Sequence, residues 1–342
     1  MAMTSDNCRY MSQRLTRIVV LLLTMVGSMM QAQAAVPRWL HSLKVWVDSS
    51  DVSNCDTSYV TLPHEGFTVY CNNYLSGLRL HATMADLASN GMENPVSGFL
   101  GSRPTLMASI NLSYRGWGLS YSRDLQHSRD TEMAYTFYGQ RYGAEFRIHN
   151  TYSLTGDMKD EDQNTVYSLD NQSGRMRVLL ANVYYVFDHN RFSHPAVTSH
   201  TTLQRRSAGS WLAMLNYFHS SYRLYEDDMP GHLKRMSMSQ INVGGGYAYN
   251  YVFGQQHWVL HGSLTPMLAM WQRNRLYYEQ GSKPLSNELS LSTVAHIHMV
   301  GNYGRFLTGM QSILNLDVFS GSEDYRSQSL NWTVRAFVGL RF

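Results

Sequence analysis

The last sixteen residues of the chain, Ser327 to Phe342, have the sequence SQSLNWTVRAFVGLRF and decide the fold class. Every second position is apolar, and most of the positions between are polar. The apolar set is Leu330, Trp332, Val334, Ala336, Val338, Leu340 and Phe342. Because successive side chains of a β-strand point to opposite faces, this stretch predicts a strand with one apolar and one mostly polar face.

The chain ends on an aromatic residue directly after this alternation. A terminal amphipathic strand of this kind resembles the assembly signal of bacterial outer-membrane barrels, with Val338, Leu340 and Phe342 as its candidate residues. The edge strand of a secreted soluble β protein could alternate in the same way. Such an edge would seldom end on an unprotected phenylalanine, so the ending favours a transmembrane barrel.

The first 34 residues have the pattern of a secretory signal peptide. Arg9, Arg14 and Arg17 precede an apolar run from Ile18 to Met30, and Ala32-Gln33-Ala34 offers a small-residue cleavage site. An N-terminal membrane anchor is the alternative. We predict that residues 1–34 are removed and that residues 35–65 form a periplasmic segment with a short amphipathic helix. Residues 66–342 would then form the barrel.

Composition narrows the class of protein further. Removing residues 1–34 leaves 25 Lys and Arg against 24 Asp and Glu, which argues against nucleic-acid binding. Mean hydropathy is −0.31, and no later apolar run is long enough for a membrane helix. The strands of a membrane barrel alternate apolar and polar residues, so neither mean hydropathy nor a search for long apolar runs detects them. The 23 Tyr and 7 Trp residues suit the aromatic girdles of a membrane barrel.

The pattern of segments predicts an all-β, antiparallel outer-membrane barrel of about twelve strands. An even number places both chain ends on the periplasmic side, with short turns there and longer loops outside. One outer loop, 153–174, is rich in charged and amide side chains and is predicted to be solvated and mobile. The predicted strands are 66–83, 104–114, 116–124, 131–139, 142–152, 175–188, 207–220, 237–252, 256–272, 287–301, 304–319 and 327–342.

One connection breaks the rule of short periplasmic turns. Residues 189–206 are too long for a simple turn and carry several hydrogen-bonding side chains. Pro195 is expected to hold His194 in an extended conformation. We predict that this segment folds into the lumen or caps it, with Arg205 and Arg206 pairing with inward carboxylates such as Asp317. A mobile periplasmic loop is the alternative.

Three stretches resemble a known family. Ala181 to Phe187 (ANVYYVF), Arg206 to Trp211 (RSAGSW) and Val243 to Asn250 (VGGGYAYN) are similar to strands of the domain-of-unknown-function family 4421 of Bacteroidota. Asp56 to Tyr59 (DTSY) is similar to the start of that family's domain, and the resemblance covers roughly residues 50–342. It implies an outer-membrane barrel and transfers no activity and no site residue.

Candidate site residues are few and their patterns are weak. His296 and His298 share the lumen face and offer two metal ligands without an evident third, so lumen polarity is the simpler interpretation. His219 and Ser221 share the lipid face, where a histidine could activate a serine nucleophile. The spacing of the mature cysteines Cys55 and Cys71 does not decide whether they pair.

We therefore expect an outer-membrane protein of a Gram-negative bacterium, porin-like and without cofactor. It would form a narrow or plugged pore, or a structural or surface-binding barrel, more consistent with a non-enzyme than with an enzyme. The alternative is a lipid-modifying hydrolase that uses His219 and Ser221. Expected partners are outer-membrane lipids, the barrel assembly machinery and periplasmic chaperones, and not nucleic acid.

Overall fold

The computed structural model describes residues 55–342 except 85–95, 127–128, 153, 161, 163, 170–173, 226–232, 280, 286–289 and 321–324. The predicted signal peptide and the predicted amphipathic helix lie outside the described residues. The elements in chain order are β1 (Val60–Thr61), β2 (Phe67–Met84), β3 (Val96–Ser102), β4 (Thr105–Tyr114), β5 (Trp117–Asp124), β6 (Thr131–Tyr138), β7 (Tyr142–Thr151), β8 (Leu154–Lys159), β9 (Thr165–Leu169), β10 (Gly174–Val186), α1 (Pro195–Thr198), β11 (Leu203–Gln204), β12 (Ala208–Leu224), β13 (Leu233–Phe253), β14 (Trp258–Tyr278), β15 (Gly281–Leu285), β16 (Ser290–Tyr303), β17 (Phe306–Ser320) and β18 (Tyr325–Arg341).

Twelve of these strands form a closed antiparallel barrel, as predicted. Each pairs with the next along the chain, and β18 returns to pair with β2. The closing seam ends where the Phe342 amide donates to the Phe67 carbonyl, N···O 2.8 Å. The barrel strands are β2, β4, β5, β6, β7, β10, β12, β13, β14, β16, β17 and β18. Closure gives every strand two partners, which leaves no open sheet edge in the membrane.

The two faces of the wall follow the predicted alternation. On β18, Val338 is 56% exposed on the outside whereas Phe337 is buried inside at 2%. On β14, Leu264 is exposed on the outside and Thr265 is buried inside. The lipid-facing side is therefore apolar, and the lumen is lined by most of the polar side chains.

Short turns join the strands at one end, which we call the short-turn end. The β4–β5 turn is an example: Arg115 and Gly116 have φ of 46° and 90°. Such a two-residue turn matches the right-handed twist of its strands, and glycine adopts positive φ without cost. Three other connections between consecutive barrel strands at this end are also short, at residues 139–141, 254–257 and 304–305.

The other end, which we call the long-loop end, has more strand than predicted. Residues 153–174 contain the strands β8 and β9, so the prediction of a mobile loop there was wrong. β8 pairs with β3, and Leu154 is fully buried in an apolar cluster. Likewise β13 and β14 run for 21 residues each, into the predicted outer loops. The charged composition of these stretches gave no sign of strands, because backbone pairing continues wherever a neighbouring strand offers hydrogen-bonding partners.

Buried apolar side chains pack together inside the barrel at the long-loop end. We call them the long-loop apolar cluster: Leu78, Leu80, Leu154, Met176, Val178, Tyr222, Leu224, Leu233, Met236, Met238, Leu276 and Leu285. They come from strands on several sides of the wall, so they narrow the lumen at this end. Among the described residues, no helix is long and apolar enough to cross a membrane.

The wall makes a depth-dependent prediction. Changing Leu264 to Arg places a charge on the lipid face near the middle of β14, and we expect a loss of about 2–4 kcal/mol in unfolding free energy. Leu260→Arg is the matched control, because Leu260 is exposed on the same face of the same strand, two residues from its short-turn end, where the cost of a charge is smaller. Urea titration of the refolded proteins in vesicles measures both. Equal losses would contradict the assigned membrane band.

The closing seam makes another prediction. Deleting Phe342 removes the last backbone pair with Phe67 and the terminal aromatic ring, so we expect impaired assembly into the membrane. Phe342→Tyr, which keeps both, should assemble normally. Heat-modifiable migration on gels measures the folded fraction, and wild-type migration of the truncated protein would contradict a role for this residue.

Candidate pore and its plug

The long connection between β10 and β12 lies inside the barrel, as predicted for residues 189–206. We call residues 187–207 the plug segment. Phe192, Ser193, Val197 and His200 are completely buried. Its single helical turn, α1, starts at Pro195, where the missing amide hydrogen is not needed. His194 therefore has helical backbone angles, and the expected extended conformation was wrong.

Wall side chains hold the first half of the plug segment by its backbone. Gln140 donates from Nε2 to the carbonyls of His189 and Phe192 at 3.0 and 3.1 Å. Asn250 donates from Nδ2 to the Ser193 carbonyl at 2.8 Å. Leaving a buried backbone carbonyl unpaired costs free energy, so these amide side chains stabilise one specific position of the plug segment, which we call its seat.

The second half is held in the same way from other strands. Gln311 donates from Nε2 to the Val197 carbonyl at 2.9 Å. Arg341 donates from Nη2 to the His200 carbonyl at 3.0 Å. Ser113 donates from Oγ to the Ser199 carbonyl at 3.3 Å. Donors from β4, β17 and β18 thus converge on one short segment, which anchors it on several sides of the wall.

Apolar contacts add to the seat. Phe192 packs in a buried cluster with the inward-facing Leu212 and Met214 of β12, and Val197 packs with Phe337 and its neighbours. Leu212 and Met214 are buried apolar side chains on the inner face of β12. Their packing with Phe192 keeps them away from water, which makes apolar side chains stable on the inner face.

The residues before the barrel brace the plug segment. β1 pairs with β11, with Val60 opposite Gln204 and Thr61 opposite Leu203. Arg205 donates from Nε to Thr61 Oγ1 at 3.0 Å. The predicted pairing of the plug arginines with Asp317 was wrong, since Asp317 accepts a hydrogen bond from Ser329 on β18. The plug segment is therefore held from outside the lumen as well as from within.

The tip of the plug segment meets a cluster of histidines on the wall. The His194 ring lies 5.6 Å from His261 and 6.4 Å from His296, measured between centroids. His296 and His298 stack at 5.3 Å, and His298 Nδ1 lies 3.2 Å from the Val197 carbonyl. No group of three or more His, Cys, Asp or Glu among the described residues is arranged to hold a metal ion. Metal binding by His296 and His298 stays a prediction.

A buried ion network crosses the lumen above the plug segment. Arg335 of β18 donates from Nη2 to Glu132 of β6, N···O 3.1 Å, and His149 Nδ1 of β7 lies 3.0 Å from the same carboxylate. Arg147 bonds to Glu145 and lies 3.9 Å from Glu132. Sequence analysis missed this network because its members belong to separate segments and meet only when the barrel closes.

Two cavities lie in the lumen on either side of this network. One of about 70 Å³ is lined by Asp317 and Asn331, and also by Glu132 and Arg147. The other, of about 90 Å³, lies against the plug segment and is lined by His194, Ser199 and Arg335 among others. Each has room for a few water molecules. The lumen therefore contains small chambers that polar and apolar side chains line together.

The predicted lipid-face pair has a different partner in the structure. His219 Nδ1 lies 2.8 Å from Ser239 Oγ on the neighbouring strand β13. Ser221 Oγ accepts a hydrogen bond from Arg235 Nε at 2.9 Å. The nearer serine was hidden from sequence analysis by its separation of twenty residues from the histidine. Cys55 and Cys71 do not form a disulfide; the first is half-buried and the second is exposed.

The sequence pattern of a described family matches residues 54–342, which is the whole of the barrel and its brace. The description of that family is "Domain of unknown function (DUF4421)". The chain belongs to the DUF4421 family. The resemblance noted from the sequence is therefore confirmed, and no curated protein has significant similarity to the chain.

Solved structures similar to this DUF4421 protein are bacterial outer-membrane barrels. The outer-membrane protease OmpT from Escherichia coli is 8% identical with a TM-score of 0.39, covering 82% of this chain and 98% of its own. The COG4313 outer-membrane channel from Pseudomonas putida F1 is 12% identical with a TM-score of 0.31, covering 83% and 98%. OprG from Pseudomonas aeruginosa is 9% identical with a TM-score of 0.28, covering 82% and 98%.

Two histidines of the plug segment predict acid sensitivity. Burial lowers the pKa of His194 and of His200 from 6.5 to about 3, and nearby His296 and Arg341 add to the respective shifts. The seated plug therefore binds fewer protons than the released one between pH 3 and 6.5. Seating is complete above about pH 6.5 and weakens as pH falls, by up to about 1.4 kcal/mol per pH unit for each histidine.

If the barrel conducts when the plug segment is released, we expect its conductance in a planar bilayer to rise as pH is lowered from 7 to 4. A double variant, His194→Phe with His200→Leu, should shift this response to lower pH. Planar-bilayer recording at several pH values measures it. Identical pH responses of the variant and the wild-type protein would contradict the role of these two side chains.

Proposed function

We propose that this protein is a gated channel of the outer membrane of a Gram-negative bacterium, closed in this conformation, that passes small polar solutes when the plug segment moves. The observation that carries the proposal is the plug segment itself. Its two ends bond to the wall strands through Phe187 and Ser207, and between these ends wall donors bind its carbonyls. A segment that served only as a turn would not require such a seat.

The charged and hydrogen-bonding side chains that line the lumen favour the passage of a polar solute. Glu132 and Arg335 line the chambers together with hydroxyl and amide groups, so both signs of charge and neutral hydrogen-bonding groups are present. A charge network of this kind favours solutes that are small, hydrated and without a large net charge. We propose that the protein reaches the membrane through periplasmic chaperones and the barrel assembly machinery, guided by Val338, Leu340 and Phe342.

The proposal is tested by locking the plug segment reversibly. In a background with Cys55 and Cys71 changed to Ser, the pair Ser113→Cys and Ser199→Cys places thiols on the wall and on the plug segment, where Ser113 now donates to the Ser199 carbonyl. Oxidation should abolish the channel openings and solute uptake into vesicles, and reduction should restore both. Each single-cysteine variant is the control. Uptake that is equal in the locked and reduced states would contradict gating by the plug segment.

A second function is favoured by one observation, the hydrogen-bonded pair of His219 and Ser239 on the lipid face. In an outer-membrane lipid hydrolase, His219 would act as general base and Ser239 as nucleophile. Phospholipid hydrolysis by the refolded protein tests this function. It requires that Ser239→Ala abolish activity and that Ser221→Ala retain it, whereas activity lost only in Ser221→Ala would restore the pairing expected from the sequence.

A further inference from the structure

A patch of arginines covers the lipid-facing side of four adjacent strands at the long-loop end. The register of these strands arranges the arginines and their neighbours in rows across the sheet. Arg175, Arg223 and Arg235 stand directly beside one another on β10, β12 and β13, followed by Tyr277 on β14. We call the set the arginine patch: Arg175, Arg177, Arg223, Arg235, Arg273 and Arg275.

The second and third rows complete the patch with small and polar side chains. Arg177 is followed by Ser221, Ser237 and Arg275, in one line across the sheet. Below it, Leu179 is followed by His219, Ser239 and Arg273. Serines between the guanidinium groups leave open space above the sheet and offer further hydroxyl donors.

The height of the patch coincides with the edge of the apolar band. On β14 the exposed apolar side chains Leu264, Leu268 and Trp271 end directly before Arg273. Tryptophan is enriched where a membrane barrel meets the head groups, so Trp271 marks that boundary. The arginines therefore stand at head-group level, on the leaflet at the long-loop end.

The arginine patch lacks a counter-charge in the described part of the chain. Like charges directly opposite each other on neighbouring strands destabilise a sheet. None of the ion pairs formed by described residues includes one of these six arginines, and the nearby Glu279 pairs with Lys234. Within the described residues, three rows of guanidinium groups therefore stand without an acidic partner, which favours the binding of an anion.

Several of the guanidinium groups are held in place by hydrogen bonds that use only some of their N–H donors. Asn150 Oδ1 accepts from Arg175 Nη2 at 2.8 Å and from Arg177 Nε at 3.0 Å. Arg235 donates to Ser221 and lies over the Tyr277 ring at 5.2 Å. Each uses one of its five N–H groups in these bonds, which restricts its direction and leaves other N–H groups for a ligand; one of these, Arg175 Nε, is buried without a partner. Guanidinium groups fixed in this way match the oxygens of phosphate.

We propose that the arginine patch binds the phosphate groups of a phosphorylated glycolipid in the outer leaflet. The lipid's acyl chains would lie along the apolar band below Trp271, and its sugar phosphates would lie among the three rows. This inference uses the proposed outward orientation of the long-loop end. It does not depend on the plug segment or on any conductance, so it stands or fails separately from the gated channel.

The test uses lipid A with two phosphate groups in phosphatidylcholine vesicles, beside the same lipid with its phosphates removed. We expect the full-length refolded protein to be stabilised against heat only by the phosphorylated lipid. The double variant Arg223→Gln with Arg275→Gln should bind it about ten- to thirtyfold more weakly. The matched control is Arg79→Gln with Arg123→Gln, two exposed arginines on β2 and β5, which should keep wild-type affinity.

Each contrary outcome has a clear meaning. Equal stabilisation by the dephosphorylated lipid, or equal loss of binding in both double variants, would overturn the proposal. Full competition by free pyrophosphate would show a simple anion site and would overturn the assignment to a lipid. The loop between β12 and β13 contains Glu226, Asp227 and Asp228. If changing these three to their amides abolished lipid binding, their carboxylates would carry the interaction, which would also overturn it.

Discussion

Replacing residues 192–204 by a short Gly-Ser turn should convert the closed barrel into one that carries a steady current. The replacement removes Phe192 and the Val197 and His200 carbonyls, and with them most of the contacts that seal the short-turn end. The chamber beside Arg335 would then open to the periplasm. Planar-bilayer recording of the refolded variant beside the wild-type protein measures the change.

The matched control replaces residues 281–284 by Gly and Ser, because these four residues of β15 are exposed at the long-loop end and Leu285 of the long-loop apolar cluster is kept. The control should remain as closed as the wild-type protein. Heat-modifiable migration verifies that both variants fold. If a folded variant without the plug conducts no better than the wild-type protein, the long-loop apolar cluster is the barrier and the plug is not the gate.

Changing Glu132 to Gln should destabilise the barrel by about 3–5 kcal/mol, because it leaves buried cationic groups without their partner. Glu132 is 5% exposed and lies against Arg335, Arg147 and His149. Glutamine has nearly the same shape, so the loss reports the charge rather than a cavity. The midpoint of urea unfolding in vesicles, with the slope of the transition held equal, measures the difference.

Glu145→Gln is the matched control on the adjacent strand. Glu145 bonds to Arg147, which keeps Glu132 nearby when the Glu145 charge is removed. We therefore expect a smaller loss than for Glu132→Gln. Equal losses in the two variants would mean that Glu132 does not organise the network.

Local patterns in the amino-acid sequence were enough to predict the barrel wall of this protein. Alternation along β18 placed Val338 and Phe337 on opposite faces because a strand's side chains obey a period of two wherever it lies. The unusual length of residues 189–206 indicated the plug, since a simple turn needs far fewer residues. Twelve segments and an even count were also enough to predict a closed barrel.

Local patterns failed where pairing extended beyond the apolar band. β8 and β9 formed in a charged stretch because β3 offered hydrogen-bonding partners, and a neighbouring strand leaves no trace in the local composition. Leu212 and Met214 are stable on the inner face of their strand because Phe192 of the plug segment packs with them, and the local sequence of β12 does not indicate this contact.

The candidate sites were decided by the tertiary structure. Glu132 meets Arg335 across 203 residues of chain, and His219 meets Ser239 rather than the serine two positions away. The three rows of the arginine patch also depend on the register of four strands. Alternation specifies which face a side chain occupies, but register and closure specify its height and its neighbours, and these are set by pairing along the whole barrel.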